Sequence, residues 1–275
     1  MTELVLDLNA ISQAAVESDN TSIDSAGGFV KVPAIEGPTL GRIREYVELG
    51  RYAPDEVGLA KGYKPAKKGY LIIELLHKRH MQEMGDKLVP HEVKIFFNKG
   101  VKATSNYKKL FKAINAATGG NAKTFVDLIG KPFKAKVVHN KVGTGETAKT
   151  YVNLENYDVP QRENDEGDLV DVVVPPLVGK VRLFLWENTT LSDDHIKAMW
   201  ASIQNDGTYT KNEGKDNEEI LSLNFDQNRI MTNLDWEGSR TQELVAPDDI
   251  DLDEAPELPE ETATSNDEEM PDLDD

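Results

Sequence analysis

The sequence of 275 residues predicts a mainly β fold with helices, of the α+β class. Three observations carry that expectation. Three strand-like runs between residues 40 and 97 precede one strongly amphipathic helix, and two further strands follow it. Cysteine is absent, so no disulfide framework shapes the chain. Cationic and anionic residues are also sorted along the chain rather than mixed.

Residues 1–38 are weakly patterned. The turn-rich stretch 18–28, SDNTSIDSAGG, with Pro33 and Pro38 behind it, predicts an irregular N-terminal arm. The first strand-like run is Leu40 to Gly50, and a loop holding Pro54, Gly58, Gly62 and Pro65 leads to the second, Gly69 to Leu76. The third is His91 to Phe97, where Val93, Ile95 and Phe97 share one face and Lys94 and Phe96 the other. Thr104 or Ser105 can then cap a helix whose Tyr107, Leu110, Phe111 and Ile114 recur at i, i+3, i+4 and i+7; Gly119-Gly120 ends it. A shorter helical piece, Lys123 to Ile129, stops at Gly130 and Pro132. Phe133, Ala135, Val137 and His139 alternate with Lys134, Lys136 and Val138 in a fourth strand. Thr150 to Leu154 returns as a fifth, after a glycine-rich turn over 141–146.

Strand, strand, strand, helix, strand, strand is the element order of an OB-like five-stranded barrel, so residues 39–160 read as that domain. Residues 161–242 read as a strand-and-helix extension packed on it. A charged linker covers 161–168, a strand Lys180 to Trp186, a helix starting at Ser192 with Ile196, Met199, Trp200 and Ile203 as its stripe, a polar loop 205–219, and partly helical chain 220–236. Residues 243–275 hold no Lys or Arg and only scattered leucines; that composition predicts a disordered acidic tail.

The net charge of -18 hides a pattern. Residues 1–60 carry net -6, 61–149 net +13, 150–242 net -10 and 243–275 net -15. A basic middle interleaved with Tyr63, Tyr70, Phe96, Phe97, Tyr107, Phe133 and Tyr151 suits single-stranded nucleic acid. There a positive groove tracks phosphates and aromatic faces stack bases, about 1–3 kcal/mol per base. Phe97, Phe111 and Phe125 read as core. Phe96, beside Lys94, reads as an open platform, and Tyr46, sharing a face with Arg42 and Arg44, as a second. The expected groove is Arg42, Arg44, Tyr46, Tyr70, Lys94, Phe96, Lys134, Lys136 and Tyr151, with Lys64, Lys67, Lys68, Lys99 and Lys102 contributing cations. The acidic tail, tethered to that groove, is expected to compete with nucleic acid and, once displaced, to recruit partner proteins through Asp267, Glu268, Glu269, Asp272, Leu273, Asp274 and Asp275.

Other chemistries find no footing in the residues. Without cysteine there is no thiolate zinc site, iron–sulfur cluster or cysteine nucleophile. No apolar run approaches the roughly 20 residues of a membrane span, and MTELVLDLNA lacks the basic region of a secretory signal. Asp249, Asp251, Asp253 and Glu260 mimic a calcium loop, but Glu254 stands where glycine is needed and Pro256 and Pro259 break the geometry. His77, His80 and His91 lack a partner set for zinc, and His139 reads as a packed histidine. The stretch 143–147, GTGET, lacks the Lys-Ser/Thr of a phosphate loop. The expectation is therefore a non-enzymatic protein without metal or cofactor.

Residues 97–102, FNKGVK, and 106–115, NYKKLFKAIN, together with 128–133, LIGKPF, 137–141, VVHNK, and 184–186, FLW, resemble a family of bacteriophage single-stranded DNA-binding proteins. The acidic C-terminus is similar to the tails of such binders, although many of those end in an aromatic residue and this one ends in Met270-Pro271-Asp272-Leu273-Asp274-Asp275. The resemblance implies a role in phage DNA replication or recombination in the cytoplasm of an infected bacterium. The implied partners are single-stranded DNA and replication proteins, with no membrane and a possible homodimer. Two rivals stand beside it: a virion or scaffold-type structural protein, and a magnesium-dependent nuclease using loop carboxylates.

Overall fold

A computed structural model describes residues 33–84, 87–142, 149–177, 180–211 and 218–245. The expected N-terminal arm up to residue 32, the turn over 143–146 and the acidic tail from 246 onward, with Asp267, Glu268, Glu269, Asp272, Leu273, Asp274 and Asp275, lie outside the described residues.

The structure is mainly β with some helices. Its strands are β1 (Gly37–Tyr52), β2 (Ala66–Leu75), β3 (Met81–Met84), β4 (Lys87–Asn98), β5 (Pro132–Val142), β6 (Lys149–Asp158), β7 (Gln161–Glu163), β8 (Leu169–Asp171), β9 (Arg182–Phe184), β10 (Thr208–Lys211) and β11 (Glu219–Ser222). The helices are α1 (Glu56–Ala60), α2 (Asn106–Ala117), α3 (Asp193–Ser202), α4 (Phe225–Met231) and α5 (Arg240–Val245), with single 3-10 turns at Lys78–His80 and Phe125–Leu128. Among the described residues no helix is long and apolar enough to cross a membrane.

The main sheet runs β3-β4-β2-β1-β5-β6 and curls into a half-barrel, a shape compatible with an OB-like fold. Its axis is β1. The first part of this strand, Gly37 to Arg42, pairs with β5; its middle, Glu45 to Val47, pairs in parallel with β9; and β2 runs antiparallel along the other edge. Strands β4 and β6 approach within 8 Å between Cα atoms, and helix α2 packs at that opening against β4, β5 and β6. Ser105 caps α2 by accepting the Lys108 amide, and Gly119 and Gly120, both at positive φ, let the chain turn away beyond it.

The inner core joins the concave face of the sheet to α2 and the second 3-10 turn. Ile43, Tyr46, Leu71, Ile73, Val93, Phe97, Ile114, Phe125, Leu128 and Phe133 fill it. A second core lies on the convex face. There Val47, Leu49 and Tyr70 meet Phe184, Ile196, Met199, Ile203, Ile230 and Trp236 from the extension, with Trp186 and Trp200 beside them. Sixteen consecutive residues of β1 can serve both cores because the strand is irregular twice. Its register slips between Ile43, opposite Ile73, and Glu45, opposite Ile72, leaving Arg44 as an extra residue. It slips again between Glu48 and Gly50. Each bulge inverts the alternation of faces. Gly50 sits at φ +103°, and a Cβ there would stand 2.5 Å from the Asn233 side chain, so only glycine fits.

Two stretches expected as linker or loop are hairpins instead: 161–168 supplies β7 and the turn to β8, and 205–219 holds β10, with β11 opening at Glu219. Both were hidden by polar composition. What holds the second is an aromatic contact, Tyr209 against Phe225 at 5.4 Å. Strand β3 was also unforeseen; it extends the sheet edge by pairing with Lys87 to Pro90 of β4.

Candidate nucleic-acid interface

On the convex face, residues opposite one another across β2 and β4 share a side. Tyr70 stands opposite Phe96, and Ile72 opposite Lys94. Phe96 is 60 % exposed, while Tyr70 beside it is buried under the extension. The two rings meet edge to face at 6.0 Å. The Lys94 ammonium lies 3.8 Å from the centre of the Tyr70 ring and 5.1 Å from that of Phe96. Crowding around this ammonium pushes its pKa below the ordinary lysine value, a tendency that Asp226 and Glu45 oppose. The stem of the lysine is exposed, while its ammonium turns inward over the buried Tyr70 ring, with the open Phe96 ring beside it.

The same end of these strands gathers further cations. Lys64 is exposed in the loop before β2, and Lys61 lies over the half-exposed Tyr63 at 5.9 Å. Lys67 and Lys68 begin β2, and Lys99 and Lys102 follow β4. The Lys99 amide donates to the Lys67 carbonyl at 2.7 Å, which locks the two segments side by side. Lys64, Lys68 and Lys102 make no ion pair with a described residue, whereas Lys67 and Lys99 both bond Glu187.

Several expected groove residues are elsewhere. Tyr46 is corrected from platform to core: it is 2 % exposed, stacked on Phe97 and Phe125 at 5.6 and 5.5 Å, with its hydroxyl donating to Glu48 and facing that of Tyr107. The bulge at Arg44 is the reason, because it puts Tyr46 on the face of Ile43 and not of Arg42. Burial first, and then the Glu48 charge, raise the Tyr46 hydroxyl far above its ordinary pKa. Arg42 is corrected likewise. Its Nε bonds Glu74 at 2.7 Å, with side chains 5 % and 3 % exposed, and its Nη1 donates to the Pro175 carbonyl at 2.6 Å. Arg44 is committed to Glu45, Glu74 and Glu92. Burial alone would lower its pKa, but these carboxylates outweigh that and leave it raised. Tyr70 is no platform either, since its hydroxyl donates to Asp226 at 2.7 Å beneath the extension.

Lys134, Lys136 and Tyr151 form a separate patch. Strand β5 lies three strands from β4, and Lys134 stands opposite Leu40, near the start of β1. Lys134 and Lys136 thus belong to the start of β1, whereas Phe96 lies at the other end of the sheet, level with Tyr70 and Val47. Lys136 is opposite Glu155 and Lys134 opposite Asp158, with no ion pair to a described residue. Tyr151 is half-buried opposite Asn140.

The structure also places residues that composition did not single out. Arg182 bonds Asp226 at 2.5 Å within the extension and lies 3.7 Å from Glu45 of β1, which ties the extension to the main sheet. Arg51 bonds Asp235 at 2.5 Å at the same end. These pairs are distant in sequence, and no spacing announces them. His77, His80 and His91 cluster by the first 3-10 turn, with Arg79 donating to His80 and Gln82 bonded to His91. Among the described residues, no group of three or more His, Asp or Glu side chains is placed to hold a metal ion. No protein-family model matches the chain, and no curated protein matches it.

Proposed function

We propose that this chain binds single-stranded DNA, largely without regard to sequence, on the convex face of β4 at the end it shares with the lysines before β2. The observation that carries the reading is the open Phe96 ring with the Lys94 ammonium beside it, next to the lysines of the loop before β2 and the segment after β4. A ring open on one face stacks any base, and fixed ammonium groups track the phosphates, which is how sequence-tolerant single-strand sites work. An OB-like barrel takes β1, β2, β4, α2, β5 and β6 as its six elements. Pairing of β1 with both β2 and β5, and the helix at the opening, support that assignment. In this reading the acidic C-terminal segment competes for the cationic face and recruits replication or recombination proteins. The resemblance to phage single-strand binders supports an activity in an infected bacterial cell as part of this reading.

Fluorescence anisotropy with labelled oligo-dT and with a duplex hairpin, for wild type and Phe96→Ala, tests the proposal. Single strand is expected to be preferred, and loss of one stacking platform to weaken it by roughly 5- to 150-fold, from about 1–3 kcal/mol per base. Equal affinity for the hairpin, or an unaffected Phe96→Ala variant, refutes it.

A further inference from the structure

Lys67 lies in β2 and Lys99 just beyond the end of β4, yet they converge on one carboxylate. Lys67 Nζ donates to Glu187 Oε1, and Lys99 Nζ donates to Glu187 Oε2 at 3.0 Å. Each ammonium takes one oxygen of the same group, the arrangement in which two lysines would hold the two free oxygens of a phosphodiester. Lys99 is itself fixed from behind. It lies 2.7 Å from Glu48 Oε1, and Glu48 also accepts from the Tyr46 hydroxyl at 2.8 Å and the Trp186 amide at 3.2 Å.

The two carboxylates differ in kind. Glu48 is buried and belongs to the scaffold. Glu187 has a side chain 51 % exposed, and the two ammonium groups are its only polar side-chain partners among the described residues. Those bonds hold its carboxyl below the ordinary pKa. The backbone around Glu187 is anchored, with Trp186 packed in the outer core and Asn188 bonded to Thr241 at 3.1 Å. The side chain can therefore swing out while the fold stays intact. Two lysines and Glu48 leave one positive charge, which Glu187 cancels and one phosphodiester would cancel equally well.

Resting on the single-strand reading, we propose that Lys67 and Lys99 are a seat for one backbone phosphate, occupied in the free protein by Glu187 as an internal stand-in. The seat lies just beyond the end of β4, on the Phe97 side of the sheet and not on the convex face that carries Phe96, so a strand stacked on Phe96 would reach it around that end. Binding is then an exchange: phosphate enters, the Glu187 carboxylate leaves to water, and the charge of the seat is conserved.

The test measures oligo-dT affinity by anisotropy at fixed salt, with thermal melting to confirm folding. The variants are Glu187→Gln, Glu187→Ala, Lys67→Gln with Lys99→Gln, their combination with Glu187→Gln, and Asp235→Asn as a comparison acid paired to Arg51 on the same extension. Both Glu187 variants are expected to bind about 3- to 10-fold tighter than wild type. That gain is expected to vanish when the two lysines are gone, and Asp235→Asn is expected to stay within twofold of wild type. No tightening in either Glu187 variant overturns the seat. So does a gain that persists without the lysines, or one that Asp235→Asn reproduces, since either marks a general charge effect. A wild type that binds no single strand overturns the underlying reading as well, whereas wild-type binding with an inert Glu187 overturns the seat alone.

Discussion

Replacing Arg42 with methionine separates a structural arginine from a phosphate-binding one. In the fold, Arg42 neutralises Glu74 at 2.7 Å where both side chains are almost wholly buried, and it also donates to the Pro175 carbonyl. Methionine keeps the volume and leaves Glu74 charged inside the protein, with Arg44 Nη1 3.9 Å away as its nearest remaining cation. Removing one partner of a buried pair costs about 3–5 kcal/mol, and a body of this size loses roughly 2–4 °C in Tm per kcal/mol. The expected drop is therefore roughly 6–20 °C. Removing both charges in Arg42→Met with Glu74→Leu should recover most of that loss, because apolar replacement of a buried pair is often neutral. Urea titration followed by far-UV circular dichroism and by tryptophan fluorescence is the assay; Trp186, Trp200 and Trp236 all report from the outer core. The folded single variant should keep wild-type oligo-dT affinity. A single variant within 1 kcal/mol of wild type, a double variant as unstable as the single, or a folded single variant that has lost DNA affinity would each refute the reasoning.

Other perturbations test the frame around the interface. His80 has its pKa lowered to about 4 by burial, then by Arg79, His77 and His91. The unfolded chain takes up that proton near pH 6.5 and the folded chain only near 4, so stability falls as pH drops through this window, by on the order of 1–2 kcal/mol after discounting for screening. His80→Asn should flatten the urea midpoint against pH there, and an unchanged slope would exclude His80 as the source. Gly69→Ala puts a Cβ 2.7 Å from the Phe97 ring and 2.7 Å from the Val47 carbonyl oxygen, so a loss of about 1–3 kcal/mol is expected by denaturation. Ile114→Ala truncates the fully buried residue of the α2 stripe and should cost about 2–5 kcal/mol in the same assay. If about four phosphates are neutralised, log affinity for oligo-dT should fall with log salt at a slope near -3; a flat dependence would remove the cationic face from the account.

The five strand runs between residues 40 and 154, the cap of α2 and its apolar stripe were legible because each is a local pattern, and Ser105, Ile114 and Gly119 occupy the positions those patterns require. Phe96 was legible for the same reason: between Ile95 and Phe97, alternation alone sends it outward. Tyr46 was not. A bulge inserts one residue and exchanges inside for outside, and nothing in the run Arg42-Ile43-Arg44-Glu45-Tyr46 marks where the insertion falls. The fate of Arg42 and Arg44 depended on carboxylates 30 or more positions away in β2 and β4, and that of Lys67 and Lys99 on a glutamate of the extension. Net charge by segment counted these lysines and arginines as available, because charge counting is blind to which of them the fold has already matched.

Strand β1 is the common wall of two dry compartments, with Ile43 and Tyr46 turned to one and Val47 and Leu49 to the other. Loss of this strand from the sheet would open both compartments together. Barrel and extension should therefore melt in a single transition, and the amides of residues 45–49 should exchange hydrogen only when the whole body opens. A strand of DNA at Phe96 would lie on β4, one strand removed from that shared wall, with β2 between them.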